Sequence, residues 1–324
     1  MTNIEPKISA YDLSDYDYSS FWHDRKYEHI VEISLLKRIW QKKSAVLWFV
    51  DIGGSYGRLL PTYEQYCKNK IIVDYSMIGL KRAKKLWSKK SNVHLIAANL
   101  YHLPFRENSI DSGQMIRVLH HIVEQETALN EINRVLKGKG TFILEFPNKL
   151  HIKNRFRAFK DKEFREYIKQ PFSRIPSDGS KEGIKEGQTG VFIGYKPQFV
   201  EQLLLRHGFD IKKKTGTSFF RQDIFKKNLP IKFLAALDKF AQIFPISNLA
   251  PSIFLETNKR ELSTVCSEVY TNLDEFIVCP KCKGNVEKDE SNSLIVCKNP
   301  ECNEDYKIVD GIYDLRYPKI EQLK

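Results

Sequence analysis

The stretch Phe49-Val50-Asp51-Ile52-Gly53-Gly54-Ser55-Tyr56-Gly57 decides how this chain is read. An apolar strand candidate at 46–50 runs through an acidic residue into a glycine-rich turn. Glycine tolerates positive φ and carries no Cβ, so such a turn lets backbone N–H groups approach a ligand closely. Twenty-three residues after Asp51, a second apolar run, Ile71-Ile72-Val73, ends in Asp74. A carboxylate at the end of the neighbouring strand can accept both hydroxyls of a ribose. The two signals together predict a nucleoside-cofactor site on a doubly wound α/β sheet.

Strand candidates at 46–50, 71–73, 93–97, 112–117 and 141–146 alternate with stretches of helical apolar spacing, as in Leu80-Lys81-Arg82-Ala83-Lys84-Lys85-Leu86-Trp87. Such alternation predicts parallel strands with right-handed crossovers, and ligands of such sheets bind outside the carboxyl ends of the strands. Further blocks follow in order: Asn92-Val93-His94-Leu95-Ile96-Ala97-Ala98-Asn99-Leu100, Leu103-Pro104-Phe105, Ser109-Ile110-Asp111, Met115-Ile116-Arg117-Val118-Leu119-His120-His121-Ile122 and Glu131-Ile132-Asn133-Arg134-Val135-Leu136-Lys137-Gly138-Lys139-Gly140.

Over roughly residues 20–150 this series resembles the class I S-adenosylmethionine-dependent methyltransferases, in particular the branch containing the ubiquinone/menaquinone biosynthesis methyltransferases. A dinucleotide dehydrogenase fits less well, because the glycine spacing is not G-x-G-x-x-G. The resemblance implies a Rossmann-like, mostly parallel sheet and S-adenosyl-L-methionine as cofactor. It implies that Gly53, Gly54 and Gly57 make room for the methionine and ribose, that Asp74 binds the ribose, that Asn99 with the Leu100 backbone meets the adenine, and that Asp51, Ser55, Tyr75 and Arg117 also border the cofactor. Arg117, Glu145 and Asn148 fall at strand ends, where they can contact cofactor or acceptor. Two departures stand out: Ser55 where the family often has glycine, and Asn99 where aspartate is usual. His120 and His121 are candidate bases by position and pKa range, with a purely structural pair as the alternative. No Asn-Pro-Pro-Tyr or Asp-Pro-Pro-Tyr follows the fourth strand, which argues against enzymes that methylate amino groups of DNA or of release factors.

A second signal lies near the C-terminus. Cys279-Pro280-Lys281-Cys282 is followed, after fourteen intervening residues, by Cys297 and then Cys302. Two short cysteine pairs on turns suit tetrahedral zinc with four thiolates, although the second pair is Cys-x-x-x-x-Cys. A segment of about 45 residues builds too small a core alone, so the metal would supply folding energy. Over 276–316 this segment resembles the small zinc-ribbon protein that activates methyltransferases of tRNA, rRNA and release factors. Cys67 and Cys266 stand apart and read as buried thiols.

The predicted organisation is an aromatic, helical cap over 1–40, a cofactor-binding core over 41–150, an acceptor or lid region over 151–271 and a zinc ribbon over 272–324. A helix closing at Gly208 is expected over 197–207. The apolar, proline-punctuated stretch 230–255 reads as core, with a lid or a peripheral membrane-surface helix as alternatives. The 324 residues carry no 18-residue apolar run and a polar, acidic N-terminus, which predicts a cytoplasmic protein without a transmembrane segment. The net charge is +12, and residues 151–175 hold eight Lys/Arg against three Asp/Glu. The acceptor therefore stays open between a small molecule or lipid precursor and a tRNA or rRNA. A non-catalytic binding protein on the same fold is a third reading. The sequence leaves the oligomeric state open.

Overall fold

The structure, a computed structural model, describes residues 22–174, 192–261, 268–289, 291 and 293–318. At its centre five parallel strands lie in the order β3-β2-β1-β4-β5: Val93–Ala97, Cys67–Asp74, Val46–Ile52, Ile110–Met115 and Leu136–Pro147. Beyond β5 come β9 (Ser252–Lys259), antiparallel to it, and then β8 (Phe209–Thr217). This is the doubly wound, Rossmann-like sheet expected from the alternation.

Both faces of the sheet are covered, so β1 reads as a nearly continuous apolar run. Trp48, Val50 and Ile52 enter one core with Ile132 of α4 (Gln125–Val135) and Leu203 of α7 (Pro197–Arg206). Phe49 enters the other, with Leu36 of α1 (Lys26–Trp40) and Leu80 of α3 (Met77–Trp87). The fourth strand stops at Met115 instead of running to residue 117, because Arg117 takes φ +61° and turns the chain out of the sheet.

The C-terminal segment extends the same sheet. Strands β10 (Val286–Asp289), β11 (Leu294–Cys297), β12 (Asp305–Val309) and β13 (Ile312–Asp314) form an antiparallel meander. Asp310-Gly311, both at positive φ, make the two-residue turn into β13. β13 then pairs in parallel with β3, Tyr313 opposite Ile96 and Asp314 opposite Ala97. Leu273, Phe276, Tyr306 and Leu315 share one apolar core with Trp48 and Phe105.

The stretch 230–255 only half fulfils the core expectation. Helix α9 (Ile231–Ala241) buries Leu234 and Asp238, and Asp238 accepts a hydrogen bond from Tyr27 of α1. Phe233, Phe240, Ile243 and Phe244 stand exposed. Among the described residues no helix is long and apolar enough to cross a membrane. The expected aromatics Tyr11, Tyr16, Tyr18 and Phe21, and Cys266, lie outside the described residues. Cys67 is buried as expected, and its burial pushes the thiol up to about 12.

Candidate active site

The carboxyl ends of the parallel strands gather most of the predicted residues. The glycine turn folds back onto β2, with the N–H groups of Gly53 and Gly54 both donating to the Val73 carbonyl at 2.7 and 3.1 Å. Gly53 sits at φ +69°, and a Cβ there would lie 2.2 Å from a Val118 methyl. At Gly57, φ +73°, a Cβ would meet the Trp87 indole at 2.5 Å. These glycines are therefore required by close packing of the loop against β4's exit and α3, in addition to any approach of a ligand.

Asp74 ties the turn to the next helix. One carboxylate oxygen accepts the Ser55 N–H and the other the Ser76 N–H, each at 2.8 Å. Ser76 caps α3 through its hydroxyl. These bonds fix the orientation of the carboxylate at the end of β2. Ser55 itself takes φ +46°, a left-handed conformation that explains why glycine suits this position.

Asp51 is placed differently. It is 1% exposed, lies close enough to the turn that a Cβ at Gly54 would sit 3.2 Å from its carboxyl carbon, and accepts from Tyr63 Oη and Gln114 Nε2, both at 3.1 Å. Burial pushes its carboxyl up to about 7, with the two hydrogen bonds opposing the shift. Asn99 caps the short turn Leu100–His102 through Oδ1, while its Nδ2 donates to the Tyr317 carbonyl at 3.0 Å. The C-terminal tail thus reaches this end of the sheet, and Arg316 lies 5.6 Å from the Tyr75 ring.

Just beyond the end of β4, Arg117 donates its N–H to Glu145 and its Nε to Glu32 of α1, both at 2.8 Å. Arg58 from the glycine turn also binds Glu32, and its guanidinium stacks 3.7 Å from the Trp22 ring. Against its own burial, the two arginines hold Glu32 below the usual carboxylate range. Burial raises Glu145, which also accepts from Ser252. Asn148 is spent on the carbonyls of Asn248 and Ala250. The His120 and His121 rings lie 4.0 Å apart with Phe192 against both. Desolvation, then His121 and Arg117, push His120 well below the usual histidine range, which makes it a weak base at neutral pH.

Sequence reasoning passed over Glu32, Arg58 and Lys149. Lys149 is 1% exposed, donates to Ser173 Oγ at 2.6 Å and is pushed down to about 8 by burial. Among 52 lysines and arginines and 40 acidic residues nothing local marks these positions.

At the far end of the sheet the four cysteines converge. The sulfurs of Cys279, Cys282, Cys297 and Cys302 all lie within 4.8 Å of one another. Cys279 and Cys302 are 3.7 Å apart, and Cys282 and Cys297 are 3.5 Å apart. A zinc tetrathiolate with bonds of about 2.3 Å has sulfur–sulfur edges of about 3.8 Å, so the donor set fits that ion.

Residues 50–144 match the methyltransferase-domain family. Over 118 residues the chain is 40% identical to an uncharacterized protein of Methanocaldococcus jannaschii, spanning 36% of this chain and 48% of that protein. A demethylmenaquinone methyltransferase of Paenarthrobacter aurescens is 26% identical over 142 residues, 44% of this chain and 51% of its own length. The chain thus spans about half the length of these two curated relatives. Among solved structures, a chain of the complex between the Haloferax volcanii Trm112 methyltransferase activator and a candidate methyltransferase aligns with TM-score 0.51 and 14% identity. That alignment covers 76% of this chain and 97% of the solved one. The likeness establishes the Rossmann-like methyltransferase fold.

Proposed function

We propose that this chain is an S-adenosylmethionine-dependent methyltransferase. The observation that carries this reading is the placement of Asp74: a carboxylate at the end of β2, fixed by two backbone N–H groups, beside a glycine turn within the matched family segment. In this reading Gly53, Gly54, Ser55 and Gly57 border the methionine and ribose. Tyr75, Asn99 and the Leu100 backbone border the adenine, and Arg117 lies on the methionine and acceptor side. When bound, the cofactor supplies a sulfonium methyl for in-line displacement, so the protein's task is chiefly to position donor and acceptor. The weak basicity of His120 agrees with a reaction whose rate rests on alignment more than on proton removal.

The preferred acceptor is a small molecule or lipid precursor, on the similarity of the first half to quinone methyltransferases. An RNA acceptor is the second reading, supported by the net charge of +12. Cys279, Cys282, Cys297 and Cys302 would hold one structural zinc, and the site of action would be cytoplasmic.

Titration calorimetry tests the reading. S-adenosylmethionine or S-adenosylhomocysteine should bind, and Asp74→Ala should weaken binding by on the order of a hundredfold, because two charge-assisted hydrogen bonds are lost. Binding of NADH in place of either ligand, or equal affinity in the variant, would overturn it.

A further inference from the structure

Helices α5 (Ile152–Lys160) and α8 (Asp223–Asn228) leave the sheet at the same edge as the candidate site. α5 follows β5, and α8 follows β8, which runs parallel to β5 because both pair antiparallel with β9. Lys149 and His151 sit directly before α5, and His151 contacts Arg221 just ahead of α8. α8 in turn packs on α9. A groove of about 410 Å³ lies between α5 and Gln222, bordered by Ile152, Phe156 and the stems of Lys153, Arg157 and Lys160.

Both longer helices carry an apolar stripe that faces solvent. On α5, Ile152, Phe156 and Phe159 recur at i, i+4 and i+7. Phe156 is 65% and Phe159 77% exposed, while Ala158 alone of that helix is buried. On α9, Leu234 and Asp238 face the core, and Phe233, Ala236 and Phe240 face outward, continued by Ile243 at 74% exposure. Ile224 of α8, also exposed, lies between the two stripes in the chain of contacts. Single exposed apolar residues are ordinary, but two exposed helical stripes of phenylalanine and isoleucine on helices linked through α8 are not.

The charge these three helices carry is one-sided. α5, α8 and α9 carry eight lysines and arginines, and their acidic residues are Asp223, exposed, and Asp238, buried against Tyr27. Apolar side chains within a basic border match the interfacial region of an anionic bilayer, where rings enter the acyl boundary and cations meet headgroup phosphates. An RNA strand would use the cations and could stack on the phenylalanines. It offers nothing to Ile152, Ile224 and Ile243, which have no π-face.

We propose that the face built by α5, α8 and α9 docks on an anionic membrane surface and brings the carboxyl edge of the sheet, where the candidate site lies, toward it. For the methyl-transfer reading, on which this consequence rests, the acceptor is then an amphiphile taken from the bilayer.

Sedimentation of the full chain with lipid vesicles tests the surface. The probes are phosphatidylcholine vesicles with and without phosphatidylglycerol, and the variants are Phe156→Ser/Phe159→Ser and Phe240→Ser/Ile243→Ser. All four side chains are exposed, so the fold and S-adenosylhomocysteine affinity should be unchanged. The wild-type chain should pellet with the anionic vesicles and stay in solution with the neutral ones. Each double variant should partition on the order of tenfold less, or weaker still, from the apolar transfer lost. Partition unchanged by both variants, or equal on neutral and anionic vesicles, would overturn the proposal. So would tighter binding to RNA that the serines leave intact, or a wild-type dimer that the serines split. A chain that pellets as expected but binds no S-adenosyl compound would refute the methyltransferase reading and leave the membrane face standing.

Discussion

Replacing Asp51 by asparagine should stabilise the protein at neutral and alkaline pH, and the gain should vanish on acidification. Asp51 is fully enclosed, and burial lifts its carboxyl from the ordinary 3.8 to about 7. The folded state therefore prefers the protonated form. Below about pH 4 the group is protonated folded or unfolded and contributes no penalty. As pH rises toward 7 the unfolded chain releases the proton and the folded one keeps it, so stability falls by about 1.4 kcal/mol per pH unit. Across that interval the loss is about 4 kcal/mol, a large share of the 5–15 kcal/mol typical of a folded domain. Asparagine is isosteric, accepts from Gln114 Nε2 through Oδ1 and presents Nδ2 to Tyr63 Oη, the same reversal of donor that a protonated carboxyl makes there. Urea unfolding of both proteins at several pH values from 4.5 to about 8 measures the difference. Acid effects common to both chains, such as protonation of the cysteines, cancel in that difference. A variant no more stable at pH 8 than at pH 4.5, relative to wild type, would mean that Asp51 is ionised at little cost and that its burial is misjudged.

Other outcomes follow from the C-terminal segment. Elemental analysis should find about one zinc per chain, and Cys279→Ser should lower it and open residues 276–316 to proteolysis, since one thiolate of a closed site is gone. Full zinc in that variant would place the metal elsewhere. Deleting residues 268–324 should leave a chain that aggregates or melts far lower, because Trp48 and Phe105 lose their cover and each large apolar side chain is worth about 2 kcal/mol. A soluble truncated chain with unchanged melting would show that the two parts fold independently.

The central sheet was legible because its strands are buried on both faces and written as apolar runs ended by Asp, Asn or Gly. The glycine turn and Asp74 were legible for the same reason: a motif short in sequence is also short in space. Asp51 belonged to the same motif, and its enclosure by Tyr63 and Gln114 brings in partners from other parts of the chain that a motif match does not name. Glu32, Arg58 and Arg117 could not be grouped in advance, since they come from α1, the glycine turn and the end of β4 and meet only in the folded chain. The exposed stripe on α9 was read mainly as core because periodicity reports that a face is apolar. It does not report what covers it, and α9 has two apolar faces with room beneath it for one.

The same distinction explains how the cysteine-bearing segment is built into the protein. A segment of that size with four thiolates reads as a module that must be held together by its metal. In the fold it has a further source of stability, because β13 lies along β3, the strand that would otherwise end the doubly wound sheet with unpaired N–H and C=O groups. The Leu315 N–H closes the register on the Ala97 carbonyl at 2.8 Å, and Trp48 Nε1 donates to the Tyr270 carbonyl at 2.7 Å. A pairing of two residues is too short to hold a separate chain, whereas a covalent link makes it intramolecular at high effective concentration. Covering the edge also carries Arg316 and Tyr317 to Tyr75 and Asn99. The segment that completes the sheet therefore also lines the end of the site where an adenine would lie, and stability and cofactor affinity should respond together to changes in β13.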